Sequence, residues 1–237
     1  RRRKSRTVTR PTWSGIGDQG EGTDHSGSGW SLSTGCPVTG RGGVYAADTM
    51  PFDTSVPPDP PLRVLFVCTA NICRSAFAHV VARSWAQRNG WPLEVASAGT
   101  HGWSAAPMDE AMAAEAVARG FDPAPFRSRP VTHDLVRATD LVVTMASEHR
   151  DWVLQDWPGA VAKVVTFGQL ERACEATPGS VVGRELVGAI RQAGGRPDPG
   201  DDVVDPYRRG AEAARRCADD LVDRLERTVP RIAGVTR

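Results

Sequence analysis

The sequence predicts an α/β domain built on a four-stranded parallel sheet with helices on both faces. Three observations carry that expectation. Short apolar, β-branched runs alternate with longer segments of helical period from residue 61 onward. Glycines stand where those helices should stop. Composition breaks sharply near residue 60, so the alternation belongs to one continuous part of the 237-residue chain. Strands separated by helices in this way pair in parallel and are covered on both sides.

Leu62–Val67 reads as the first strand. Arg74–Asn89 places Phe77, Val80, Val81 and Trp85 at helical spacing, and Gly90 sits where a C-cap belongs. Leu93–Ser97 is the second strand. Pro107–Arg119 is Ala-rich and helical, ending at Gly120. Leu141–Met145 is the third strand, and Ser147 is placed to cap the helix behind it. Val161–Phe167 is the fourth strand. The stretch 168–204 carries an extra helix near Val181–Gln192, then a Pro/Gly/Asp loop at Gly195–Asp202. Gly210–Val229 closes the domain, with Ala214, Ala218, Leu221, Val222 and Leu225 on one face. Trp152 and Trp157 read as packing residues.

Residues 1–60 are of another kind. Ten Gly, six Pro and fifteen Ser or Thr leave room for only eight Val, Ile, Leu, Met or Phe. So little apolar surface does not offset the entropy of ordering the segment, which predicts a disordered, low-complexity extension before a domain at 61–237. Six basic side chains among the first ten residues are followed by no apolar stretch, so the segment does not read as a signal peptide. They read as a solvated tail rather than a nucleic-acid contact.

Several function classes fall away on composition. The formal charge is +1, which excludes a global basic field for nucleic acid. No run reaches the roughly 18 apolar residues of a membrane span. Five irregularly spaced cysteines make neither a disulfide scaffold nor a zinc pair, so a reducing, cytoplasmic setting is expected. His79, His101, His133 and His149 lack metal spacing and read as surface or core residues. No metal and no cofactor is expected.

The chemistry is expected in the loop after the first strand. Cys68-Thr69-Ala70-Asn71-Ile72-Cys73-Arg74-Ser75 runs from a strand end straight into a helix. Ligands of such sheets bind beyond the carboxyl ends of the strands. Successive N–H groups in a tight loop make an anion-binding concavity, and the helix dipole adds positive potential. The planar fork of Arg74 can grip two phosphate oxygens. The same field favours thiolate over thiol at Cys68, and a thiolate beneath a bound phosphoryl group is an in-line nucleophile.

Val67–Ser75 resembles the signature of the low-molecular-weight protein tyrosine phosphatases of bacteria. The resemblance extends to Ser97-Ala98-Gly99-Thr100 with Trp103, to Asp140–Met145 with His149, and to Asp205-Pro206-Tyr207, all in the family's order. It implies a Rossmann-like phosphatase fold and hydrolysis of phosphotyrosine through a phosphocysteine intermediate. By that resemblance Cys68 attacks phosphorus, and Arg74 with the loop from Thr69 through Ala70, Asn71, Ile72 and Cys73 binds the phosphate. Ser75 supports the thiolate, Asn71 holds the loop, and Asp205 is the general acid. Trp103 and Tyr207 wall the pocket. Ile72 points to an aryl substrate, since relatives that cleave arginine phosphate tend to carry Thr there. Cys73 is implied as a protective disulfide partner for Cys68, giving a redox-sensitive enzyme. The expected partner is a protein bearing phosphotyrosine, with a bacterial tyrosine kinase as a candidate.

The chain also departs from the family pattern. Ala70 stands where Gly is frequent, Ala76 where Pro is frequent, and Ala146 where Asp usually follows Met145. Arg208 replaces a second aromatic after Tyr207, and Phe126-Arg127-Ser128-Arg129 replaces His-x-Ala-Arg. Two rival readings share the fold. An arsenate reductase needs two further cysteines close together, whereas Cys174 and Cys217 are 43 residues apart. A non-catalytic phosphotyrosine reader would not need Cys68, Arg74 and Asp205 together.

Overall fold

The structure is a computed structural model that describes residues 59–193 and 195–236. The expectation of a disordered extension therefore falls, apart from Asp59 and Pro60, outside the described residues. In chain order the elements are β1 (Leu62–Cys68), α1 (Arg74–Asn89), β2 (Leu93–Gly99), α2 (Glu110–Ala118), α3 (His133–Ala138), β3 (Leu141–Thr144), α4 (Ser147–Asp156), β4 (Val164–Thr166), α5 (Phe167–Ala176), α6 (Gly183–Ala193) and α7 (Gly210–Ile232). The strands form one parallel sheet in the order β2-β1-β3-β4. The chain leaves β1 toward one edge and returns at β3 toward the other. The carboxyl end of β1 thus lies at the point where strand order reverses, the usual crevice for a ligand.

Period-2 alternation along the strands sets the layers. Val64, Phe66 and Cys68 of β1 join one core with side chains of α1, α2, α5, α6 and α7. Leu65 and Val67 join the other, beneath α3 and α4 with Val136, Val153 and Ala160. Both faces of β1 are therefore dry, and the loop leaving it starts from a rigid base. Phe77, in the first turn of α1, is fully buried. Truncating a Phe in such a position costs about 3–5 kcal/mol.

The four expected strands and the parallel sheet are present. The C-cap at Gly90 is as expected, left-handed at φ +63. Details differ for identifiable reasons. β2 runs on to Gly99 because its ladder continues as far as Cys68. The fourth strand is only Val164–Thr166, since Pro158 opens a 3-10 turn that lasts to Lys163. Ser147 is the first residue of α4 rather than its cap. Ala146 occupies the cap position without a side-chain bond, and the Ser147 N–H and hydroxyl both donate to Asp202, at 2.8 and 3.2 Å. The extra helix and the Pro/Gly/Asp loop appear as α6 and a short 3-10 turn at Pro199–Asp201. Two helices escaped the sequence reading. α3 has six residues, too few to show a period. α5 was announced by Thr166 and Gln169, which form a reciprocal capping box.

Candidate active site

The loop from Cys68 to Arg74 is held from outside by its carbonyl groups. Thr100 N–H donates to the Cys68 carbonyl at 2.9 Å, His101 to Thr69 at 2.9 Å, Trp103 to Ala70 at 3.4 Å and Asp109 to Ile72 at 2.9 Å. Peptide planes whose C=O groups point outward turn their N–H groups inward. The amides of Thr69 to Cys73 donate to no protein acceptor among the described residues. The result is an inward-facing ring of donors at the start of α1, suited to an oxyanion. The fit is close, since a Cβ on Gly99 would overlap the Thr69 carbonyl oxygen. Positive φ falls on Asn71 (+58), not on Ala70 where relatives often have Gly. Asn enters this region more readily than most residues, so Ala70 meets no strain.

Three side chains then line up beneath the ring. Asn71 Nδ2 donates to Ser75 Oγ at 2.8 Å, and its Oδ1 accepts the Arg129 N–H at 3.0 Å. Ser75 Oγ lies 2.9 Å from Cys68 Sγ. With one lone pair taken by Asn71, the single Ser75 proton can go to Sγ or to the Ala98 carbonyl at 3.5 Å. A thiolate wins that competition, because a hydrogen bond to an ion is shorter and stronger.

Arg74 is buried and points the other way. One Nη donates to the Val203 carbonyl at 3.1 Å, and the other meets Asp205 Oδ2 at 3.0 Å. Its Nε, also buried, has no protein partner. Val203 is fixed on its other side, its N–H donating to Met145 at 2.8 Å. The loop carrying Asp205 is thus clamped to the end of β3 and to Arg74 together. The neighbouring carboxylates are engaged elsewhere. Asp201 is buried and takes bonds from Arg172, Thr166 and the Asp198 N–H. Burial works against its charged form, but these donors outweigh burial and hold its carboxyl below the usual range. Asp202 receives Ser147.

His149, read from sequence as a surface or core residue, in fact touches the loop. Its Nε2 is 2.9 Å from Thr69 Oγ1 and 3.5 Å from Glu148 Oε1, while its buried Nδ1 has no partner. Burial, reinforced by the charge of Arg74, pushes its pKa down to about 4, so the ring is neutral. The Glu148 carboxylate favours the proton on Nε2, and the Thr69 hydroxyl can donate or accept there according to the tautomer. Its legible signals were its position at the start of the helix behind β3 and its place in the family resemblance.

The rim is apolar and open. Trp103 is 52 % exposed and Val204 70 %. Tyr207 lies beyond Asp205, whose Oδ1 accepts the Tyr207 N–H at 3.2 Å. The Arg208 guanidinium stacks on the Tyr207 ring, 5.1 Å from its centroid, and no carboxylate among the described residues pairs with it. Cys73, at the N-cap of α1, is buried and free. Burial and the nearby Asp109 push its thiol far up, so it stays protonated. Cys174 and Cys217 are buried in α5 and α7, with thiols raised by burial to about 11 and about 12. Neither is poised as the exposed resolving thiol that arsenate reduction needs.

Comparison with known proteins agrees with this geometry. Residues 63–178 match the family model described as low molecular weight phosphotyrosine protein phosphatase. The low molecular weight protein-tyrosine-phosphatase Etp of Escherichia coli (strain K12) is 35% identical over 106 residues, covering 45% of this chain and 69% of that protein. A protein-arginine-phosphatase of Bacillus subtilis (strain 168) is 33% identical over 106 residues, covering 44% of this chain and 69% of that one. Among solved structures, a low molecular weight protein tyrosine phosphatase from T. tengcongensis superimposes with a TM-score of 0.56 at 23% identity, covering 70% of this chain and 96% of that one.

Proposed function

The chain belongs to the low molecular weight phosphotyrosine protein phosphatase family, and from that premise we propose that it hydrolyses phosphotyrosine in proteins through a phosphocysteine intermediate. The observation that carries this reading is the stack of Asn71, Ser75 and Cys68 beneath an inward ring of amides, with Arg74 and Asp205 facing each other 3.0 Å apart above it.

The phosphate dianion takes the loop amides and the fork of Arg74. Cys68 Sγ attacks phosphorus as the P–O bond to the phenol breaks, and Asp205 gives its proton to the departing oxygen. Arg74 and the amides neutralise charge on the equatorial oxygens through the transition state. In the second step Asp205, now a carboxylate, takes a proton from water as the water attacks phosphorus. The P–S bond breaks, and Sγ leaves as a thiolate that receives the Ser75 hydrogen bond. The products are inorganic phosphate and tyrosine.

The relatives divide between tyrosine and arginine phosphate, so the leaving group needs its own argument. Ile72 inside the loop and Trp103, Val204 and Tyr207 around it offer apolar and aromatic contact to a phenyl ring. A guanidinium leaving group would be better served by carboxylates. Among the described residues the carboxylate presented at this rim is Asp205, already committed to Arg74. The deciding experiment compares kcat/KM on matched phosphotyrosine and phosphoarginine peptides. A preference for phosphotyrosine of at least tenfold is expected, and a preference for phosphoarginine would overturn the substrate assignment. Phosphorylated bacterial tyrosine kinases are the first protein substrates to try.

The catalytic unit is 61–237 on this reading, with 1–60 outside it. One refinement comes from α6, where Arg184 reaches back to the Pro60 carbonyl at 2.5 Å. A shortened protein should begin at Asp59. No helix among the described residues is long and apolar enough to cross a membrane.

A further inference from the structure

A second polar cavity lies on the flank of α1. It is a groove of about 610 Å³, formed by α1, the edge strand β2 and the loop 120–129. Arg83, Arg88, Arg127 and Arg129 all line it, with Asp122 as the one carboxylate. Many other arginines among the described residues meet carboxylates, as Arg63 meets Glu94, Arg119 meets Asp219 and Arg227 meets Glu171. In the groove, none of the four has a carboxylate partner among the described residues. Asp122 itself accepts the Ala124 N–H at 2.9 Å.

Three of these forks are held in place by backbone carbonyls. Arg88 donates to Gly120 at 2.7 Å, Arg127 to Ala124 at 2.8 Å and to Phe126 at 2.6 Å, and Arg129 to Ser97 at 2.9 Å. Each of these bonds orients a guanidinium and leaves other N–H groups free, which reduces the entropy lost on binding an anion. The lining also includes Val80, Val95 and Phe126. His79 packs edge-on against Phe126 and bonds Ser97 Oγ at 3.0 Å. Burial, then Arg83 and Arg129, keep its ring neutral, with a pKa of about 4. The positive charge of the groove is therefore that of its arginines alone.

We propose that this groove is a second anion site, separate from the catalytic loop, which takes a compact ligand bearing several phosphate groups. Four guanidinium groups around one volume, three of them held by carbonyls, match a chain of linked phosphates better than a single one. A volume of about 610 Å³ lies within the range of roughly 300–1,000 Å³ used for small ligands. The groove touches the catalytic centre at one point, since the Arg129 N–H holds Asn71 Oδ1 while the Arg129 side chain faces the groove.

The test uses the full chain and two probes, inorganic tripolyphosphate and ATP, titrated by calorimetry with inorganic phosphate saturating the catalytic loop. One equivalent should bind in that background. Affinity should fall at least tenfold in Arg83→Ala/Arg127→Ala and vanish in Arg83→Glu/Arg127→Glu. Both side chains are exposed, so the variants should keep the wild-type melting curve and a KM for a small aryl phosphate within twofold. ATP binding at least fivefold tighter than tripolyphosphate assigns a nucleotide, and ATP binding no tighter assigns the inorganic chain. Absence of binding once the loop is filled, or equal binding by wild type and both double variants, would overturn the proposal.

Discussion

Arg74 and Asp205 form an ion pair of 3.0 Å although one is buried and the other nearly half exposed. The pair joins the group that binds phosphate to the group assigned to protonate the leaving oxygen. A phosphate dianion bound at the loop would compete with Asp205 for the same guanidinium, so the pair has to open or share Arg74 when substrate arrives.

Asp205→Ala should separate substrates by leaving group. Tyrosine has a phenol pKa of about 10 and needs protonation as it departs, whereas an activated nitrophenolate does not. General acid catalysis contributes about a hundred- to ten-thousandfold. Single-turnover phosphorylation of the enzyme should therefore slow far more with phosphotyrosine than with a nitrophenyl ester. Equal slowing would remove Asp205 from the role. Asp201 and Asp202 are unsuitable replacements, being bound to Arg172 and Ser147.

Cys68→Ser should abolish turnover yet still bind inorganic phosphate, because the amides and Arg74 remain. Arg74→Lys should lose at least a hundredfold in kcat/KM, of the order of removing one oxyanion donor, since an ammonium cannot span Val203 and two phosphate oxygens together. Calorimetry with phosphate separates the two variants. Hydrolysis retained by Cys68→Ser, with contaminating phosphatase excluded, would refute the phosphocysteine route.

Oxidation should fall first on Cys68. Peroxide converts Cys68 to sulfenic acid, and Cys73, once its buried, protonated thiol gives up its proton, attacks that sulfur, expels water and closes a disulfide before irreversible oxidation. Activity should return with a thiol reductant, and peptide mapping should find Cys68 joined to Cys73. In Cys73→Ser the recoverable fraction should drop several-fold. Recovery equal to wild type would leave Cys73 as a packing residue.

Stability should decline as pH falls from about 6.5 to about 4. His79 and His149 are pushed from 6.5 to about 4 by burial first and by neighbouring arginines second. Between those values the unfolded chain binds more protons, so the contribution is full above 6.5 and lost on acidification. The maximal slope is about 1.4 kcal/mol per pH unit for each histidine. Urea unfolding at pH 7, 6 and 5 should show it, and His149→Gln should flatten the curve. A His149→Gln curve as steep as wild type would assign the acid loss to other groups.

Much of this was written in local sequence. β1, α1 and the Gly90 cap follow from apolar period and punctuation, and the Cys68–Ser75 loop follows from its position between them. What local sequence does not hold is pairing across distance. Asp202 bonding Ser147 stands in for the side chain missing at Ala146, yet 55 residues separate the partners. His149 meeting Thr69 and Arg129 meeting Asn71 are likewise products of the closed sheet. The four unpaired arginines of the groove come from α1 and from the loop before α3, and no periodicity connects them.

The four carbonyl clamps on the catalytic loop carry an evolutionary consequence. The segment 99–109 supplies all of them and also presents Trp103 at the rim. A change that reshapes this side of the pocket also disturbs the amides that meet the phosphate, so selection for a new substrate is resisted there by loss of rate. On the opposite rim, Val204–Arg209, the double constraint falls on Asp205, which pairs with Arg74, and on Tyr207, which packs against the core, and spares the exposed Val204 and Arg208. The segment hangs from Val203, through bonds to Met145 and Arg74. Substrate choice can therefore drift at Val204 and at Arg208, which stands in place of an aromatic ring, without disturbing the amides.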